Sequence, residues 1–247
     1  MLQRRGPILP PPPLAQLQTR GRVALLCDFD GTIVPIANRP DAIVVPPALP
    51  QRLEALAERL DGAFAIVSGR SVSDLQRFIG PIAIHWAGSH GADVRSPEGE
   101  PLSIARVLPM PVTRALAHFA GEHGLLHEPK AHGAALHYRS QPEDGAKARA
   151  FAEALAAEHG LVAKPGKCVI ELAWPGANKG GAVRLLATRP PFAGSMPIFI
   201  GDDITDEDGF AASEALGGFG IAVGERAATG ASYALGTVEE VHAWLGL

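Results

Sequence analysis

The sequence predicts an α/β fold: a doubly wound parallel sheet into which a small α+β domain is inserted. Three observations carry this. Short apolar runs alternate with helical patterns over residues 22–86 and again over 178–223, as a parallel sheet with helical crossovers requires. Several of these runs stop abruptly, at Asp28, Ser68 and Gly201, as strands buried on both faces do. Between the two stretches, residues 106–176 change style and read as two helices interleaved with four strand-like segments.

Taken in order, PILPPPPL (7–14) reads as an extended, solvated polyproline segment, and residues 1–20 as a flexible leader. RVALLC (22–27) is the first buried strand. Leu49, Leu53, Leu56 and Leu60 recur at helical spacing. AFAIV (63–67) is a second strand, a short helix presents Leu75, Phe78 and Ile79, and residues 82–86 give a third strand. The insertion reads as helix (112–122), strands (125–130 and 134–139), helix (142–159) and a hairpin (161–164 and 168–174) turning at Pro165-Gly166. A helix through Ala182, Val183, Leu185 and Leu186 follows, then strands at 197–200 and 219–223. The expected division is a core of residues 21–105 and 177–247 around an inserted domain of 106–176.

Composition excludes several functions. With 47% apolar and 19% charged residues the chain can bury a substantial core. Lys and Arg number 22 against 26 Asp and Glu, for a formal net charge of −4, and the pI is near 6.1. Nucleic-acid binders normally carry the opposite balance. The two cysteines, Cys27 and Cys168, sit inside apolar runs, so neither a disulfide framework nor a cysteine metal site is expected, and a reducing compartment fits. Arg4 and Arg5 are followed by prolines where a signal peptide needs an apolar stretch. No run approaches the ~20 apolar residues of a transmembrane helix. A cytoplasmic monomer, bound to neither membrane nor nucleic acid, is expected.

The chemistry gathers at strand ends. In Asp28-Phe29-Asp30-Gly31-Thr32 the two aspartates, two apart on an extended segment, share a face at the carboxyl end of a buried strand, where open α/β sheets bind ligands. An acidic turn would look similar in isolation. Gly201-Asp202-Asp203-Ile204-Thr205-Asp206-Glu207-Asp208 ends another strand. Thr205 with Asp208 has the spacing of a helix capping box, which accounts for Asp206 to Asp208 but not for Asp202 and Asp203. Each like-charge pair about 4 Å apart costs on the order of 4 kcal/mol at an effective dielectric near 20. A hard divalent cation, Mg²⁺ above all, relieves that repulsion and attracts phosphate. Ser68-Gly69-Arg70 ends the second strand with a hydroxyl and free amides suited to phosphate oxygens. Asn178-Lys179-Gly180-Gly181 opens a helix with a lysine that opposes the helix dipole, which anchoring an anion would explain.

In this order these segments resemble the four motifs of the haloacid dehalogenase (HAD) superfamily of phosphotransferases. The insertion resembles the trehalose-6-phosphate phosphatase family more narrowly, through Gly88-Ser89-His90-Gly91, Glu128-Pro129-Lys130, His137-Tyr138-Arg139, Gly166-Lys167 with Val169 to Leu172, and GDDITDE (201–207). The resemblance spans roughly 24–223 and implies a HAD-like core carrying an α+β cap. Ile33 and Asp93 depart from the usual leucine and glutamate.

The resemblance further implies a phosphatase for a small-molecule sugar phosphate. Asp28 would be the nucleophile and Asp30 the general acid and base. Mg²⁺ would be held by the Asp28 side chain, the Asp30 carbonyl and Asp202, with Asp203 or Asp206 acting directly or through water. Ser68 and Lys179 would hold the phosphoryl oxygens, with Gly69 and Asn178 beside them. Arg70 would orient this loop or reach the substrate. Glu128, Lys130 and Glu171, with His137 and Arg139, would read the sugar from the cap, although charged side chains on a small sheet also make an ordinary wet face. Other sugar phosphates, such as sucrose phosphate or a mannosyl phosphate, are the alternative substrates. A catalytically silent sensor would lack Asp28, Asp30, Lys179 or Asp202, and all four are present. Five cap histidines, at 118, 123, 127, 132 and 137, lack the spacing of a zinc site.

Overall fold

The computed structural model describes residues 9–37, 39, 41–103, 106–130, 132–166, 168–226, 228 and 230–247. Arg4, Arg5 and Pro7 of the expected leader, and Lys167 of the cap, lie outside the described residues. In chain order the first elements are α1 (Leu14–Gln18), β1 (Val23–Cys27), α2 (Leu49–Arg59), β2 (Phe64–Val67), α3 (Val72–Ile79), β3 (His85–Gly88) and β4 (Asp93–Arg95). Then come α4 (Met110–His123), β5 (Leu126–Lys130), β6 (Gly133–His137), α5 (Gly145–His159), β7 (Val162–Gly166) and β8 (Val169–Ala173). The chain ends with α6 (Lys179–Ala187), β9 (Met196–Gly201), α7 (Glu207–Ala215), β10 (Phe219–Val223), β11 (Tyr233–Leu235) and α8 (Val238–Leu245). It divides into two compact units, one running to Ser103 and resuming at Asn178–Leu247, the other Ile104–Ala177.

The first unit is built on a seven-stranded sheet in the order β11-β10-β9-β1-β2-β3-β4. Its pairings are parallel except that of β3 with β4. All five residues of β1 are buried, and their side chains alternate between two cores. Val23, Leu25 and Cys27 join Leu53, Leu56, Ile66 and Leu75 on one face, while Ala24 and Leu26 join Val183, Leu186, Phe199 and Phe210 on the other. A strand covered on both faces reads as a continuous apolar run, which is why RVALLC stands out in the sequence. β1 pairs with β2 on one side and β9 on the other, so the segments after these three strands emerge side by side at the carboxyl edge.

In the second unit, β5-β6-β8-β7 form an antiparallel sheet. Ala134, Leu136, Ile170 and Leu172 pack against Val112, Leu116 and Ala120 of α4 and Ala148, Ala152 and Ala156 of α5. By the two-residue strand period the opposite face carries Glu128, Lys130, Ala135, His137, Lys164 and Glu171.

Several expectations need correction. The third strand is His85–Gly88 rather than 82–86, because Ile82 and Ile84 bury as part of the preceding turn. The second cap strand ends at His137, leaving Arg139 beyond it. The cap hairpin does not turn at Pro165-Gly166, since Gly166 still pairs with Val169; Cys168, at φ 59°, takes the turn. The leader is not solvated throughout. Leu14 and Leu17 bury in the core, and the Pro12 carbonyl accepts a 2.9 Å hydrogen bond from the Trp244 indole. Among the described residues no helix is long and apolar enough to cross a membrane.

Candidate active site

Asp28 follows β1 directly, its amide donating to the Ile200 carbonyl of β9 at 2.8 Å, and its carboxylate is buried. The chain then doubles back, with the Phe29 carbonyl accepting from the Ile33 and Val34 amides. Gly31 makes the reversal possible. It sits at φ 79°, a region open to glycine, and a Cβ there would collide with the Asp202 carboxylate. The same tight turn brings the Thr32 hydroxyl to 3.3 Å from Asp202 Oδ1. Carboxylate oxygens of Asp28, Asp202 and Asp206 can all lie within 4.8 Å of one another.

Lys179, at the start of α6, is 2% exposed and has two carboxylates around its ammonium, Asp206 at 2.6 Å and Asp28 at 2.9 Å. The cost of placing a lysine at a helix N-terminus is therefore met inside this cluster. Asn178 caps α6 by accepting from the Gly181 amide at 2.8 Å, a structural task for a residue expected to bind substrate. One cation does not balance three carboxylates. Burial pushes the Asp28 carboxyl up to about 7, Lys179 opposing and Asp206 adding to the rise. Burial and then Asp206 raise Asp202 to about 6. Asp206 is raised by burial against the pull of Lys179. Burial pulls the Lys179 ammonium down, but Asp28 and Asp206 outweigh it and hold it above the ordinary lysine value. A largely buried all-oxygen cluster with surplus negative charge suits a hard divalent cation.

Asp30 turns away from the cluster to form a two-bond ion pair with Arg70, at 2.7 and 2.9 Å, and the Arg70 guanidinium lies over the Phe78 ring. Ser68 is buried; its hydroxyl accepts from the Arg70 amide at 3.2 Å, and its carbonyl accepts from the His90 backbone amide at 2.8 Å. The His90 ring lies against Gly69, 2.7 Å from where a Cβ would stand. Of Asp203 and Asp206, the second belongs to the cluster. Asp203 is exposed and forms a capping box with Asp206, in place of the expected Thr205–Asp208 box.

On the polar face of the cap sheet, Glu128 pairs with His137 at 2.8 Å and Lys130 with Glu171 at 2.6 Å. Glu128, Ala135, Glu171 and Lys164 follow one another across the four strands. Arg139, beyond β6, is exposed. Sequence reasoning passed over Thr32, Lys164 and Arg226. Thr32 stood inside a recognised motif, but no spacing marks Arg226, 24 residues after Asp202.

The trehalose-phosphatase family model matches residues 26–237. The chain belongs to the trehalose-phosphatase family. It is 36% identical over 231 residues to the trehalose-6-phosphate phosphatase of Escherichia coli (strain K12), covering 91% of this chain and 85% of that one. Among solved structures it is similar to Aspergillus fumigatus trehalose-6-phosphate phosphatase, with a TM-score of 0.76 and 27% identity over 96% of this chain and 97% of that one. A phosphatase of the haloalkanoate (HAD) enzyme superfamily from Bacteroides thetaiotaomicron shares the fold, at a TM-score of 0.68 and 16% identity over 91% and 93%. Members of the family are phosphoric monoester hydrolases with the HAD fold, and this chain is one.

Proposed function

We propose that the protein hydrolyses trehalose 6-phosphate to trehalose and phosphate with Mg²⁺ as cofactor. The observation that carries the phosphatase half is the pairing of buried Asp28 and Asp206 with Lys179, beside half-buried Asp202. The sugar half rests on family membership and on the polar face of the cap sheet.

Side-chain oxygens of Asp28 and Asp202 would hold the cation, with the Asp30 carbonyl, and Asp206 would act on it directly or through water. Bound there, Mg²⁺ supplies positive charge that offsets the carboxylates and the phosphoryl oxygens. The Asp28 carboxylate attacks phosphorus, forming an aspartyl-phosphate as the ester bond breaks. Asp30, which is paired through both oxygens with Arg70, would leave that pair and take up a proton, give it to the departing sugar oxygen, then take one from the water that hydrolyses the aspartyl-phosphate, releasing phosphate and restoring Asp28. Arg70 holds Asp30 in its resting position. Lys179 and Ser68 hold phosphoryl oxygens while charge develops on them. Glu128, Lys130, His137 and Glu171 would meet sugar hydroxyls by charge-assisted hydrogen bonds.

Phosphate release from trehalose 6-phosphate, sucrose phosphate and glucose 6-phosphate, each with Mg²⁺, tests both halves. The expected kcat/KM is at least about tenfold higher for trehalose 6-phosphate, equivalent to about 1.4 kcal/mol. A higher value for another sugar phosphate would reassign the substrate while leaving the core chemistry standing.

A further inference from the structure

Arg226 lies in the loop after β10, outside the four acidic, serine and lysine motifs. Its guanidinium spends three donors in a fan. Nε donates to the Asp202 carbonyl and one terminal nitrogen to the Asp203 carbonyl, both at 2.9 Å. The other terminal nitrogen pairs with Glu207 at 2.9 Å. Glu207 opens α7, and its second oxygen accepts from the Gly230 amide at 2.8 Å. Successive carbonyls of the acidic loop are thus tied through one rigid fork to the first turn of the following helix and to the loop before β11. No other side chain described grips both carbonyls, and the planar guanidinium is the group whose fixed donors can span them.

We infer that Arg226 is a positioning residue for cation binding, holding the Asp202–Asp203 backbone so that the Asp202 carboxylate stays aimed at Asp28 and Asp206. The inference rests on the proposed cation site. The sign of its effect separates it from simple electrostatics. Arg226 is itself a cation, so if only its charge mattered, removing it would tighten binding of a second cation nearby. Positioning requires the reverse. Groups that orient metal ligands from outside the coordination shell typically contribute about 10–100-fold to metal affinity.

The experiment is direct titration of Mn²⁺, followed by electron paramagnetic resonance, into full-length wild type, Arg226→Met, Arg226→Lys and Asp202→Asn, with thermal melts of the metal-free proteins alongside. Met removes both charge and fork, whereas Lys keeps the charge but cannot reach two carbonyls and Glu207 together. We expect Mn²⁺ affinity to fall about 10–100-fold in both Arg226 variants, at a temperature where the melts show each fully folded. The Mg²⁺ concentration for half-maximal phosphate release should rise in parallel, while KM for the sugar phosphate at saturating Mg²⁺ holds. Unchanged affinity in both variants overturns the inference, and so does tighter binding in Arg226→Met with wild-type binding in Arg226→Lys. If Arg226→Met fails to fold, Arg226→Lys alone decides, by weakened or wild-type binding. Failure of the underlying site looks different: wild type itself would then bind no Mn²⁺, or Asp202→Asn would bind as well as wild type.

Discussion

Lys179 and Asp206 meet at 2.6 Å where neither side chain is more than 2% exposed. Asp206 also accepts from the Asp203 amide at 2.7 Å through its other oxygen. The lysine that faces Asp28 at 2.9 Å is therefore set in place by a carboxylate that is itself pinned by the backbone of the acidic loop. The lysine and the proposed nucleophile are aligned before substrate arrives, which is how electrostatic preorganisation lowers a barrier.

Replacing Lys179 by methionine fills the same space and leaves Asp28 and Asp206 buried without their counter-ion. Breaking a buried pair from one side costs about 3–5 kcal/mol. Denaturant melts of metal-free Lys179→Met should show a loss of that order, and phosphate release should vanish even where the variant is folded. A melt within experimental error of wild type would contradict the assignment.

The raised carboxyls set a pH dependence. Asp28 at about 7 and Asp202 at about 6 both lie above the ordinary 3.8, so the metal-free fold holds these protons more tightly than the unfolded chain. Their contribution to stability is fully present below pH 3.8 and is lost as pH rises through about 6 and 7. The melting temperature without metal should fall across that window, and Asp28→Asn should flatten the fall. Saturating Mg²⁺, bound as proposed to the ionised carboxylates, should raise the melting temperature most at the alkaline end, by linkage worth about 2.7 kcal/mol at a hundredfold excess over Kd. Identical pH profiles with and without Mg²⁺ would count against a cation at these carboxylates.

Gly31 is constrained twice, by its φ of 79° and by the Asp202 carboxylate in the place of a Cβ. Gly31→Ala should cost about 1 kcal/mol from backbone strain alone and displace Asp202. Turnover should drop by at least about tenfold, equivalent to about 1.4 kcal/mol, with a higher Mg²⁺ requirement. Wild-type activity would show that the turn tolerates a side chain and that Asp202 need not stand where it does.

The cap face should govern sugar preference and leave the phosphoryl chemistry intact. Glu128→Ala removes the partner of His137 and should lower kcat/KM for trehalose 6-phosphate by about 10–100-fold, the loss expected of about 1.4–2.7 kcal/mol. Hydrolysis of a small aryl phosphate should be unchanged. If the ranking of sugar phosphates is unaltered, Glu128 is simply part of a wet sheet face.

What could be read from the sequence was whatever the chain writes locally. β1, β2, β9 and β10 are buried on both faces, so their apolar runs stood out, as did the acids that follow β1 and β9. The Ile82-Ala83-Ile84 segment has the same apolar character, but only its two isoleucines bury and it pairs with no strand, because partners rather than composition decide which segment pairs. Leu14 and Leu17 carry only one helical repeat, too little to outweigh the neighbouring prolines. Asp203 displaced Thr205 as the capping residue because Asp206 was free to return the bond within a tight turn. Arg226 could not be found by motif at all, since its value lies in two backbone carbonyls that only the folded chain brings to it. The cap strands were visible through turn signals, yet the pairing of Glu128 with His137 needed the β5–β6 register.

The proposed chemistry requires Asp28 to carry the phosphoryl group, and rapid quenching of the enzyme during turnover of trehalose 6-phosphate, followed by peptide mass spectrometry, tests this most directly. One phosphoryl group should appear on the peptide containing Asp28, be absent from Asp28→Asn, and be lost when EDTA is added before substrate. Full turnover by Asp28→Asn, or a phosphoryl group carried by a different residue, would contradict it.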